Sequence, residues 1–300
     1  MPLNDAHCHF FSRPFFAALG GDAALKTLGW DAPGDAAQLA DRWIAELDRH
    51  RVSRAAIIAS VPGDASSVGE AVRRHPSRFV GFFMVDPTQA NAAVSTADAI
   101  DRDRLGAICL YPAMHRYSLH DERVRRIVDV AAGRPGTCVF VHCGVLSVGV
   151  RKKLNLPSAY DIRFSNPIDL HAIALAYPSI TFIVPHFGAG YFREALMVAD
   201  LCPNVMFDTS SSNGWIKYHP GLTLAGVFRR ALAVLGPDRL LFGTDSSFFP
   251  RGWVASVHAE QSSALDEIGA SAEVRDKIFG GNFDRVLPMD STPRTQRTPD

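Results

Sequence analysis

The chain has 300 residues, 47% of them hydrophobic and 21% charged, an ordinary globular composition with material for a large core. Lysine plus arginine and aspartate plus glutamate are equal at 31 each, without a basic stripe or an acidic tail, so nothing points to nucleic acid or a membrane surface as partner. The five cysteines are odd in number and form no C-x-x-C pair, which argues against a disulfide framework. MPLNDAHCHF lacks the basic and apolar regions of a secretory signal, and no apolar run is long enough to span a bilayer, so a cytoplasmic location is expected.

Short apolar runs recur along the chain, each bounded by glycine, proline or polar residues. They predict strands at Leu3–His7, Ala55–Ser60, Val80–Val85, Ala107–Tyr111, Cys138–Cys143, Thr181–Pro185, Val205–Asp208 and Leu240–Gly243. Amphipathic stretches between them, such as Ala37–Arg49, Ser67–Arg74, Arg123–Ala132, Pro167–Ala176, Tyr191–Leu201 and Leu222–Leu235, predict helices. Twice, at RHPSRFVGF and AYPSITFIV, a helix gives way to proline and then a strand, because the residue before proline disfavours helix. Eight strands alternating with helices predict a parallel sheet closed into a single-domain (β/α)₈ TIM barrel over residues 1–287. An open doubly wound sheet would place a glycine-rich phosphate loop after the first strand, and none is present. The aromatic-rich segment Phe10–Gly34 reads either as a lid over the barrel mouth or as an extra capping helix. The Thr-, Pro- and Arg-rich tail 288–300 reads as disordered.

Alternation along the first strand puts Asp5, His7 and His9 on one face at its C-terminal end, where two imidazoles can reach one cation. His142 ends the fifth strand in CVFVHCG, His186 the sixth in ITFIVPHFG, and Asp245 the eighth in LLFGTDSSF. Barrels carry their active sites at the C-terminal strand ends, so these strands aim their polar residues at one place. A lone histidine at a strand end is usually structural; agreement among four strands points to a metal centre.

The order H-x-H, V-H-C-G, P-H-F-G, F-G-T-D resembles the amidohydrolase superfamily, nearest to the branch of aminocarboxymuconate-semialdehyde decarboxylase and relatives. The resemblance runs from Asp5 to about Arg285, where KIFGGNFDRVL is similar to that branch's closing helix. It implies that His7, His9, His142 and Asp245 hold one divalent metal, zinc or else manganese. It also implies that His186 orients or deprotonates a water, with Asp245 as a further proton acceptor. Binuclear members carry lysine or glutamate at the end of the fourth strand; GAICLYPAMHR has neither, which favours one ion. The expected function is metal-dependent hydrolysis of a small carboxylate-bearing substrate. Decarboxylation is the alternative; metal-independent lactone hydrolysis and a non-catalytic barrel stand further back. A homodimer is common among such relatives.

Arg163, in YDIRFSNP, reads as a clamp for a substrate carboxylate or as half of a surface salt bridge. Arg251, Trp253, His115 and Arg116 follow strand ends and are further candidates for substrate contact. Asp208 reads as a support for the site or a loop cap, Cys8 and Cys143 as packing, and Asn282 as a helix-terminus device.

Overall fold

The computed structural model describes residues 2–211 and 213–288, so most of the tail 288–300 lies outside the described residues. Eight parallel strands run in sequence order around one sheet: β1 (Leu3–Phe10), β2 (Val52–Ala59), β3 (Phe79–Val85), β4 (Ala107–Leu110), β5 (Cys138–Val141), β6 (Phe182–Val184), β7 (Val205–Asp208) and β8 (Leu240–Leu241). The ring closes between β8 and β1. There Ala6 N–H donates to Phe242 O (2.7 Å), Asp245 N–H to His7 O (2.9 Å) and His9 N–H to Ser246 O (2.6 Å). This is the (β/α)₈ barrel that the strand pattern predicts.

An outer helix follows each strand. Six of them match the amphipathic stretches. The other two, Ala92–Asp101 and Ala255–Glu267, are rich in alanine and serine and carry too weak an apolar stripe to stand out in the sequence. Among the described residues, no helix is long and apolar enough to cross a membrane.

Two apolar layers result from the period-2 alternation of the strands. Ala56, Ile58, Phe82, Met84, Ala107, Cys109, Cys138, Phe140, Ile183, Met206 and Leu241 fill the inside of the barrel. The other strand faces join the helices in a larger outer layer that includes Cys8, Trp43, Ile57, Phe207, Phe228 and Trp253. All five cysteines are buried and none forms a disulfide among the described residues, with Cys8 and Cys143 in this outer layer. The closing helix Asn282–Val286 plugs the bottom of the barrel with Phe283. Arg54 holds the plug by donating to Asp284 Oδ1 (2.7 Å) and Leu287 O (2.8 Å).

Strand β1 departs from simple alternation. Asp5 pairs with Ala55 but Cys8 pairs with Ile57, so three steps on β1 lie opposite two on β2. The extra residue is a β-bulge, which reverses the facing of everything beyond it. Ala6 therefore lies with the inner layer and His7 and His9 open into the barrel mouth, while Asp5 turns outward. Alternation alone puts Asp5 beside the two histidines, and the bulge corrects that.

Asn282 is likewise more than a helix terminus. Its amide donates to Pro237 O (2.7 Å) and Leu240 O (2.8 Å), fastening the closing helix to the start of β8. We expect Asn282→Ala to strand both carbonyls and lower stability by about 1–3 kcal/mol. A urea unfolding midpoint checks this, with metal content unchanged because the mouth lies at the other end of the barrel.

Candidate metal centre

The bulge delivers His7 and His9 to the same point: their Nε2 atoms are 3.3 Å apart. Asp245 Oδ1 lies 3.2 Å from His9 Nε2 and 3.7 Å from His7 Nε2. These three residues form a group able to hold a cation. Ligands about 2.0–2.1 Å from a tetrahedral zinc sit roughly 3.3 Å from one another, so the spacing fits such an ion. His142 stands just outside the tight group, buried, with Nδ1 unpartnered among the described residues, an imidazole nitrogen with no protein acceptor. The donor set of three imidazoles and one carboxylate suits zinc and its neighbours.

Three of the four imidazoles, His7, His9 and His186, are turned by a neighbour. His7 Nδ1–H donates to Asp208 Oδ2 at 2.5 Å, leaving Nε2 as the inward lone pair. Asp208 also caps its own loop by accepting from Ser210 N (2.6 Å), so both readings of this residue hold. Ser60 donates its hydroxyl to Ile58 O (3.0 Å), so its oxygen accepts from His9 Nδ1–H (2.7 Å), and His9 Nε2 also faces Asp245. His186 Nδ1 lies 2.9 Å from the Ser210 hydroxyl and 3.2 Å from the Ser210 carbonyl; a proton on Nδ1 would bond that carbonyl and leave Nε2 as a lone pair.

Burial lowers His9, whereas at His7 burial is outweighed by the charge and hydrogen bond of Asp208, which raise it. Burial, with His186, His7 and His9 nearby, pushes His142 well below the usual histidine range and keeps it neutral. Burial and the field of His7 likewise lower His186. Burial alone would raise Asp245, but His9 Nε2 beside it and the field of His7 and His186 hold it below the usual carboxylate range. His186 (φ 55°) and Asp245 (φ 58°) both adopt left-handed backbone, a strain that clusters at functional sites.

Local packing explains two glycines of the motifs. Gly144 follows His142 and Cys143 at positive φ, where a Cβ would collide with the carbonyls of Gly188 and Ala189. The loops after β5 and β6 thus touch backbone to backbone, which brings His142 and His186 to ring centroids 5.2 Å apart. At Gly243 a Cβ would come within 2.9 Å of Asp208 Oδ1, His7 Cβ and Ser210 Cβ.

Asp5, turned outward by the bulge, is a fully buried carboxylate with four donors. It accepts from Thr244 Oγ1 (2.6 Å), Trp253 Nε1 (2.7 Å), His7 N (2.9 Å) and Thr244 N (3.1 Å). It bonds β1 to the segment carrying Asp245.

Above the metal group lies a cavity of about 820 Å³. The segment Phe10–Gly34 walls one side with two short helices, Arg13–Ala17 and Asp22–Leu28. Its Trp30 stacks on Phe248 at 3.7 Å between ring centroids, and Lys153 Nζ sits 5.3 Å over the Trp30 ring. Of the residues named for substrate contact, Arg251 alone lines this space, over the Phe248 ring. Trp253 is buried in the outer layer, its indole used by Asp5. Arg163 is exposed and folded back on Asp161, which caps the same turn. The short helix Pro112–His115 carries His115 and Arg116 away from the cavity, and Arg116 donates to Ala159 O. Arg151, Lys153 and Lys217 line the cavity instead, and Tyr111 lies at its edge beside His142. The run RKK after the fifth strand was the available signal for two of them.

Residues 5–289 match the amidohydrolase family. The chain belongs to this family. Protein fluG of Emericella nidulans is 31% identical over 93 residues, 31% of this chain, which thus spans only a tenth of that relative's length. An amidohydrolase from Burkholderia multivorans, solved with bound zinc, aligns with a TM-score of 0.67 at 17% identity, covering 97% of this chain and 100% of its own. A putative 2-pyrone-4,6-dicarboxylic acid hydrolase from Pseudomonas putida aligns at 0.64 and 18% identity, covering 97% and 99%. The 5-carboxyvanillate decarboxylase of Sphingomonas paucimobilis aligns at 0.64 and 15%, covering 96% and 99%. The protein is therefore an amidohydrolase-family enzyme, in a family that is typically metal-dependent.

We expect His7→Ala and Asp245→Ala to lose the metal while circular dichroism still shows a folded barrel, because barrel stability comes mainly from packed strands and helices. Asp208→Asn removes the carboxylate that orients His7 and should weaken metal affinity about 10–100-fold, read by chelator competition.

Proposed function

We propose that this amidohydrolase hydrolyses a small carboxylate-bearing substrate with one divalent metal, zinc before manganese, held by His7, His9, His142 and Asp245. The observation that carries the reading is the charge pattern of the cavity. Four cations, Arg151, Lys153, Lys217 and Arg251, line it, and Asp245 is the single carboxylate among its lining residues. Aromatic side chains of Phe11, Phe15, Trp30, Phe248, Tyr160 and Tyr218 stand between them. Such a space attracts a planar anion and repels a cation.

When bound, the metal supplies Lewis acidity and lowers the pKa of a water towards about 7. His186 Nε2, basic and facing the site, accepts a proton and returns it to the leaving group. Arg251 and Lys153 hold the substrate carboxylate at the wall, so that the scissile group points at the floor. Asp208 and Ser60 keep His7 and His9 in orientation throughout. The P. putida relative is named for hydrolysis of a dicarboxylate, which supports this reading. The same groups serve decarboxylation, the activity for which the S. paucimobilis relative is named. A single domain over residues 1–287 is part of the proposal, as is action on a free small molecule.

Elemental analysis should find about one equivalent of divalent metal per chain, because the end of β4 brings no lysine or glutamate to bridge a second ion. Two equivalents would overturn the mononuclear reading. A panel of pyrone lactones and aromatic dicarboxylates, followed for hydrolytic product and for CO₂, tests the reaction; CO₂ without hydrolysis would make it a decarboxylase.

His186→Asn should keep the metal but lose on the order of a hundredfold in kcat, with a smaller change in KM. Metal loss would make His186 a ligand instead, and reduced stability with normal turnover would make it a packing residue.

A further inference from the structure

Tyr111 stands just past the end of β4, on the inward-facing register of Ala107 and Cys109. It lines the cavity, yet its hydroxyl is buried and has no hydrogen-bond partner among the described residues. The ring is held in place. It lies nearly parallel to the His142 imidazole, at 26° and 5.3 Å between centroids, and against Phe140 at 6.3 Å. A buried hydroxyl without a partner destabilises a fold, and phenylalanine has the same shape. Tyr117 has an equally unpartnered hydroxyl among the described residues but does not line the cavity; Tyr111 does, so for Tyr111 a bound molecule is within the reach of a small side-chain movement.

We propose that Tyr111 is a catalytic residue whose hydroxyl donates a hydrogen bond to an oxygen of the bound substrate, beside the His7–His9–Asp245 group. The proposal rests on the reading of the cavity as a carboxylate-substrate site. A phenol is protonated at neutral pH, so it donates without prior deprotonation of anything else. It adds no charge at the strand end where binuclear relatives place lysine or glutamate. During hydrolysis the oxygen of water forms a bond to the carbonyl carbon, and its proton passes to His186. The carbonyl π pair moves onto the carbonyl oxygen, and the Tyr111 O–H stabilises that oxyanion. When the pair returns, the bond to the leaving group breaks, and the leaving group takes the proton from His186. Tyr111 ends the cycle unchanged.

The test is Tyr111→Phe in the metal-loaded protein, with three readouts: metal content, melting temperature, and the dissociation constant for isophthalate, a planar dicarboxylate with no bond to hydrolyse. The ring and its stack on His142 survive the substitution. We expect full metal content, a melting temperature equal to or above that of the parent, and isophthalate binding weaker by roughly tenfold or more, the scale of a hydrogen bond to a charged group. With a turnover substrate, kcat should fall about 10²–10³-fold, as for loss of one oxyanion donor. A lower melting temperature with unchanged isophthalate affinity would make the hydroxyl structural and overturn the assignment. Metal loss in the variant would overturn it too, placing Tyr111 among the supports of His142. Equal affinity of parent and variant removes Tyr111 alone, whereas a parent that fails to bind isophthalate removes the carboxylate reading and Tyr111 with it.

Discussion

The seam between β8 and β1 is the constraint on which the site depends. His7 and His9 belong to the first strand and Asp245 follows the last, so the metal group exists only when the ring is closed. Three backbone hydrogen bonds make the seam, and β8 itself is a ladder of just two residues. Buried Asp5 reinforces this thin junction by accepting from both sides of it. A carboxylate taken out of water is costly unless fully hydrogen-bonded, and four donors meet that condition. Burial raises its pKa and those donors offset part of the rise; it is the four hydrogen bonds that make the group a rivet.

The mouth separates two tasks. The floor is built from strand ends, three of its imidazoles aimed by a group at the other nitrogen: Asp208 for His7, Ser60 for His9, Ser210 for His186. These partners sit on the barrel's own rigid elements, so the nitrogens are in place before anything binds. The walls come from the segments after β1, β5, β7 and β8, and they carry the cations and aromatic rings. Long-range charge attraction and planar stacking act there, away from the bonds being made and broken.

Much of this was legible in the sequence. The eight strands show as Val-, Ile- and Phe-rich runs because parallel strands are buried on both faces. His7, His9, His186 and Asp245 were readable because strand ends in a barrel have one destination. Two things were not readable. The bulge at Ala6–His7 has no local signature, so period-2 counting misassigned Asp5, and with it the partner of Trp253. The cavity-lining cations were obscured for a different reason: which face a loop residue takes depends on short-range partners. Arg163 is captured by Asp161 two residues away, and Arg116 by a carbonyl across the loop, whereas Lys153 reaches the Trp30 ring only after the segment following β1 has folded over it.

The wall segment that follows β1 contributes no residue to the strands or to the seam that closes them, and this bears on how such an enzyme changes over generations. Substitutions between Phe11 and Gly34, or in the loop after β5 beyond Gly144, fall outside the hydrogen-bonded ladder and the metal group while changing the cavity wall. The Trp30–Phe248 stack is a point at which a wall segment grips the segment that carries Asp245. A lineage can therefore drift in diet while its chemistry stays fixed, provided the drift leaves that handhold or replaces it with another.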